Sequence, residues 1–292
     1  MLKRLPILCA ALLALAACNH DNGSGAAQPA APAATTSAAA TPAASSPVPA
    51  AAATATAPAA SASTAPAASG TTAAAPAPAA PATPFVDTGK WVEGKNYFLI
   101  DPAQPTSHPG KIEVTEVFSY GCPACNAFHE TVDQIAKSLP ANAVMNYLPA
   151  SFRPDENWPL YQRAFLTAQA LGVVDKTHDA MYDAVWKSGE LSTYSLKGSG
   201  LKPKEAWPTI DDVAKFYAKY GVDPKEFVGI ANSFTVNTQM KRADDLMKAY
   251  GVDSTPSMVV NGKYRFTTNS AGGYAQSIEL TQWLVAKEAA GK

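Results

Sequence analysis

The sequence predicts an α/β domain interrupted by a helical segment, and three observations predict it. The first is a β-branched run, Ile112-Glu113-Val114-Thr115-Glu116-Val117-Phe118, that passes through a short turn into a helix. In that helix Phe128, Val132, Ile135, Ala136 and Leu139 fall at helical spacing. The second is a stretch from about residue 154 to 243 in which the patterns are helical and little else. The third is a hairpin signature near the C-terminus. Val259-Val260 reads as a short strand, Asn261-Gly262 as a tight turn, and Lys263 to Phe266 as the returning strand.

The rest of the chain divides by composition. Residues 1–17 read as a targeting signal, with a basic start, Met1-Leu2-Lys3-Arg4, and an apolar run from Leu5 to Ala17. That run is too short to span a bilayer as a mature helix. It ends in Leu15-Ala16-Ala17-Cys18. This resembles the bacterial lipoprotein box, which implies cleavage before Cys18 and lipidation of its thiol. Residues 18–83 read as a tether, almost wholly Ala, Pro, Thr and Ser, with Asp21 the only charge and Val48 the only apolar side chain larger than Ala. Such a segment cannot build a core, and its prolines keep the Ala runs from propagating as helix. A flexible chain of this length spans roughly 45 Å root-mean-square at about 5–6 Å × √n. Residues 84–153 and 244–292 are assigned to the α/β domain and 154–243 to the helical insertion. The net charge is −1, which excludes a strongly basic nucleic-acid binder.

Within the insertion the expected helices are Tyr161 to Leu171, Lys176 to Lys187, Ile210 to Tyr220 and Phe234 to Tyr250. Gly172, Gly221 and Gly251 stop three of them. Asp223-Pro224-Lys225-Glu226 reads as an N-cap, a first-turn proline and a capping-box acid.

The cysteines carry the chemistry. Of four, Cys9 leaves with the signal and Cys18 is the lipid site. The folded region keeps only Cys122-Pro123-Ala124-Cys125. A domain of this size needs no staple, and a four-residue loop makes a poor one. A zinc site lacks its remaining ligands, and a haem site would need His where Asn126 stands. Redox exchange remains. The pair sits where a strand turns into a helix, and Pro123 suits the first helical turn. Free amides and the helix dipole favour a thiolate at Cys122, the expected exposed attacking thiol, with Cys125 the resolving one. Strand parity puts Glu116 on the apolar face with Ile112, Val114 and Phe118. A buried acid there can exchange a proton with the inner thiol. On local grounds the Thr255–Pro256 bond is expected trans.

The run from Glu116 to Cys125 resembles the active-site segment of DsbA-type thiol:disulfide oxidoreductases of the bacterial periplasm. Thr255-Pro256, a strand and Asn261-Gly262-Lys263-Tyr264 resemble that family's cis-proline segment. The resemblance runs from about Trp91 to the C-terminus. It implies a thioredoxin fold with an inserted helical domain. It also implies a cis Pro256 against the disulfide, Glu116 as the buried acid, and a substrate surface at Thr255, Pro256, Pro123 and Ala124. It implies unfolded exported proteins as substrates and a DsbB-like membrane quinone oxidoreductase as partner. No cofactor beyond a redox-active Cys122–Cys125 disulfide, no metal and no nucleic acid are expected, and a monomer is the default. The best-known members carry His at the third motif position, where this chain has Ala124, so a less oxidising couple is expected. His129 is expected as a solvated surface residue. The rivals are a periplasmic disulfide reductase or isomerase, and a non-catalytic binding lipoprotein on the same scaffold.

Overall fold

In the computed structural model, residues 85–292 other than Ser199 are described. The signal, Cys18 and the tether lie outside the described residues.

Five strands form one sheet in the order β1-β5-β4-β2-β3. They are β1 Phe98–Leu99, β2 Ile112–Phe118, β3 Ala143–Pro149, β4 Ser257–Val260 and β5 Tyr264–Thr267. β2 is central. It pairs in parallel with β3, Glu116 opposite Tyr147, and antiparallel with β4, Glu116 opposite Met258. All seven residues of β2 are buried, as expected of a strand covered on both faces. Asn261 and Gly262 take φ of 53° and 64°, and Lys263 N–H donates to Val260 C=O at 3.0 Å. Positive φ at both positions is the two-residue hairpin turn that Asn-Gly favours.

Helix α1, Pro123–Ser138, follows β2. It stops where Leu139 turns extended ahead of Pro140. The insertion holds α2 Trp158–Ala170, α3 Val174–Trp186, α4 Ile210–Ala218, α5 Pro224–Ala231 and α6 Phe234–Ala249. The short α7, Thr268–Ala271, and α8, Tyr274–Ala289, close the chain. The expected helices therefore stand, with ends shifted by at most three residues. One cap differs. Asp223 accepts from the amides of Lys225 and Glu226, but no reciprocal Glu226 bond completes a box. The complete capping box at the start of an insertion helix is Thr209 with Asp212, on α4.

The core lies in two layers. On one side of the sheet Val114, Met258 and Val260 meet Phe128, Val132 and Ile135 of α1 and Leu280 and Leu284 of α8. The other cluster joins Val117, Phe118 and Val259 to the insertion through Trp158, Tyr161, Phe165, Met181, Tyr182 and Met247. The insertion thus packs directly on the segment that carries the cysteines. Trp186 donates its indole N–H to Tyr120 C=O at 2.7 Å. A Cβ at Gly121 would lie 2.8 Å from the Tyr161 ring and 3.0 Å from Trp158. Only glycine lets α2 approach this close.

Gly121→Ala should therefore overpack the junction at about 1–3 kcal/mol. A thermal melt should fall by roughly 2–4 °C for each kcal/mol lost in a domain of this size. An unchanged melt would mean the turn and α2 separate freely.

Candidate active site

The site is built at the N-terminus of α1. Cys122 is the N-cap residue, with extended φ and ψ of −89° and 117°, and Pro123 occupies the first turn. The Cys122 amide donates to Ser119 C=O at 3.0 Å, which holds the turn closed. Its sulfur takes the place that an oxygen takes in a Ser or Asp cap. It accepts the Cys125 amide at 3.1 Å. Thr255–Pro256 is a cis peptide, contrary to the expectation from local sequence and in line with the resemblance. The Cys122 thiol donates to Thr255 C=O at 3.6 Å.

Both cysteines carry free thiols here. Cys122 was expected to be exposed, and this is corrected: it is only 3% accessible. The Thr255 carbonyl against its sulfur is part of that cover, while Pro123 and Ala124 beside it are exposed. Despite partial burial the Cys122 thiol is lowered from 9.0 to about 7. The Cys125 thiol bonded to it contributes most, and the Thr255 side chain and the amides of Cys125 and Ala124 add to it, against the opposing effect of burial. Cys125 is fully buried and its thiol is pushed well up, first by burial and then by its bond to Cys122. Two residues three apart thus differ sharply in acidity.

Glu116 is fully buried, and neither carboxyl oxygen has a hydrogen-bond partner in the protein. Burial, then the Cys122 thiolate and Asp133, raise its pKa from 4.5 to about 8. At neutral pH it is a protonated acid, able to give a proton to a neighbouring thiolate and to take one back.

His129 is also corrected. Its side chain is only 12% exposed, its Nε2 bonds to Asp179 at 3.1 Å, and its ring lies 4.4 Å from that of Tyr182. It belongs to an aromatic cluster that sequence reasoning missed, with Phe118, Tyr120, Tyr147, Phe165, His178 and Tyr182. Phe118 lies edge-on to Tyr120, Phe165 and His178, each at 5.2 Å. His178 Nδ1 pairs with the Tyr120 hydroxyl at 2.8 Å. Burial, then His129, lower its pKa to about 3, so it stays neutral. These residues come from β2 and the turn after it, β3, α1, α2 and α3, and no local spacing announces them. Among the described residues His129, Asp133 and Asp179 bring possible metal-ligand atoms within 4.8 Å of one another. With Asp179 largely exposed and already bonded to His129, they read as a hydrogen-bonded group.

Comparison with known proteins gives the family. The sequence matches the family model described as Thioredoxin over residues 109–279. It is 38% identical over 200 residues to the thiol:disulfide interchange protein DsbA of Pseudomonas aeruginosa, covering 68% of this chain and 87% of that one. It is 36% identical over 195 residues to DsbA of Azotobacter vinelandii, covering 67% and 83%. The chain belongs to the DsbA family of the thioredoxin superfamily. The crystal structure of Pseudomonas aeruginosa DsbA superposes with a TM-score of 0.60 at 38% identity, over 70% of this chain and 97% of that one. DsbA from Xylella fastidiosa gives 0.59 at 30% identity, over 68% and 98%. This DsbA-type chain is a thiol:disulfide oxidoreductase with a thioredoxin-like fold. Among the described residues no helix is long and apolar enough to cross a membrane.

Alkylation of Cys122 followed against pH should show a midpoint near 7. Cys125→Ala removes the bond that contributes most, so the midpoint should move up; a midpoint that stays put would show that Thr255 and the backbone amides set it without that bond. A second outcome follows from Glu116. The folded, reduced protein holds that proton up to about pH 8, the unfolded chain only to about 4.5. Folding then binds a proton between those values, so stability falls across that window and levels off above it. Glu116→Gln should flatten this slope in denaturant titrations, a change of several kcal/mol at about 1.4 kcal/mol per pH unit.

Proposed function

We propose that this protein is a dithiol oxidase that introduces disulfides into proteins exported to the periplasm. The reading rests on one observation above the others: a low-pKa thiol at Cys122 beside a fully buried, high-pKa thiol at Cys125, with the protonated acid Glu116 below. A thiol that favours its thiolate stabilises the reduced enzyme and so makes its disulfide the stronger oxidant.

The steps balance as follows. A substrate thiolate attacks Cys122 Sγ of the Cys122–Cys125 disulfide. The new bond joins substrate sulfur to Cys122, and Cys125 leaves with the electron pair and takes a proton from Glu116. A second substrate thiolate attacks its own sulfur in the mixed disulfide and releases Cys122 as thiolate. The substrate loses two electrons and two protons. One proton ends on Cys125, replaced on Glu116 from solvent, and the other goes to solvent. Thr255 and cis Pro256 present backbone to the substrate, with Pro123 and Ala124 on the opposite lip. Unfolded chains with free thiols are the substrates. A DsbB-like quinone oxidoreductase of the membrane takes the two electrons back. A lipid on Cys18 and the tether of residues 18–83 hold the domain near that membrane.

The equilibrium potential of the pair in glutathione buffers tests the direction. A value near or above the glutathione couple, with the reduced form melting higher than the oxidised one, is expected. A value near that of thioredoxin would overturn the oxidase reading in favour of a reductase. Cys122→Ser should abolish turnover with a reduced, unfolded substrate, whereas Cys125→Ser should trap mixed disulfides. Full function in Cys122→Ser would leave only a binding module.

A further inference from the structure

Three chain segments meet at the Cys122 edge of the sheet. β2 runs into the cysteine turn, β3 runs out at Pro149 towards Ser151 and Phe152, and β4 begins just after Pro256. Because β2 and β3 are parallel and β4 is antiparallel to β2, these points share one edge. A cavity of about 380 Å³ opens between the second and third segments, against the end of α6. Its apolar lining is Phe152, Met247 and Val252, and Asp244, Lys248 and Asp253 supply its polar lining.

The cavity is a built feature. Asp244 Oδ1 accepts from the Ser151 hydroxyl at 2.6 Å and from the Gln162 amide at 2.8 Å, tying β3's extension, α2 and α6 together. Met247 is only 4% exposed, whereas Phe152, held against Trp158 at 5.3 Å, leaves 38% of its surface in solvent. The chemistry of the cysteine pair uses none of these groups.

Continuity with the cysteine site identifies the occupant. Val252 and Asp253 stand three and two residues before Thr255, whose carbonyl lies 3.6 Å from Cys122 Sγ. An extended chain advances about 3.3 Å per residue. A polypeptide whose cysteine reaches Cys122 and whose chain runs back along the segment before Thr255 carries a residue a few positions away to the cavity. We propose that this cavity is a side-chain subsite for the polypeptide substrate, taking an apolar residue two to four positions from the cysteine being oxidised. This rests on the reading of Cys122 as the sulfur that substrate attacks. The polar lining carries both signs, so the selection is for apolar bulk and not for charge.

The test reduces the oxidised full chain with cysteine peptides that carry Leu three residues before or after the cysteine, and with the same peptides carrying Ser. Glutathione serves as the small thiol without an anchor. One Leu peptide should react at least about tenfold faster than its Ser counterpart, through a lower KM. Phe152→Ser and Val252→Thr should each shrink that ratio, and the peptide and protein changes should be non-additive. No Leu advantage in the wild-type protein, or an advantage that survives both variants, would overturn the subsite. Failure of glutathione itself to exchange would instead overturn the reading of Cys122, and the subsite with it. The peptide comparison within the wild-type protein needs no variant to fold.

Discussion

The hydrogen bond from the Cys125 amide to the Cys122 sulfur ties the start of the helix to the reactive thiol. It is a helix cap made with sulfur, and it answers two demands at once. The first turn of any helix leaves amides without partners, and a thiolate needs donors. Here one group meets both needs, so local folding and thiolate stability are coupled. β2 must end where it does, Pro123 must enter where no amide is missed, and Thr255 must lie against the same sulfur. A change that displaces any of these acts on the sulfur through the cap.

The second constraint is the dry surroundings. Glu116, His178 and Tyr182 are buried with orphaned polar atoms, and the aromatic cluster around them excludes bulk water. In such a medium the neutral forms win: Glu116 keeps its proton and His178 loses one. The insertion supplies much of this cover from α2 and α3. A thioredoxin-like sheet with α1 and α8 alone would leave the Glu116 side of the cysteine turn wetter. The helical insertion thus shapes the acid–base chemistry of the cysteine pair.

Much of this was legible in the sequence because the signals were local. Pro123 and the Cys-x-x-Cys spacing placed the pair at a helix start, and strand parity put Glu116 on the apolar face with Ile112, Val114 and Phe118. Asn261-Gly262 announced the hairpin. The resemblance supplied the cis peptide at Pro256, which local preference opposed. What stayed hidden depended on tertiary contact. α8 buries Ser277, Leu280, Thr281, Leu284 and Val285, a regular helical stripe. Two of those five are hydroxyl residues that bond back to Gly273 and Ser277, so the apolar pattern is broken. His129 looked like a surface residue because its cover, Tyr182, lies 53 positions away in α3. The exposure of Cys122 was misjudged for the same reason, since Thr255 is brought to it from 133 residues downstream.

The departure at Ala124 clarifies what sets the thiol. A methyl side chain offers no donor, and the residue contributes only its backbone N–H. The lowering of Cys122 to about 7 therefore comes from the Cys125 thiol, Thr255 and two amides, without an imidazolium. That value suits exchange near neutral pH, because a thiol whose pKa matches the ambient pH attacks best, while a low-pKa thiol also leaves well. In a mixed disulfide Cys122 is then a better leaving group than an ordinary substrate thiol. Cys125 is held as a thiol first by its burial and then by its bond to Cys122. It is slow to attack back, which leaves the substrate's second thiol to resolve the bond. The asymmetry between the two thiols, on which the proposed oxidase direction rests, thus needs no third charged side chain in the motif; it follows from placing one sulfur on the helix cap and the other one turn inside.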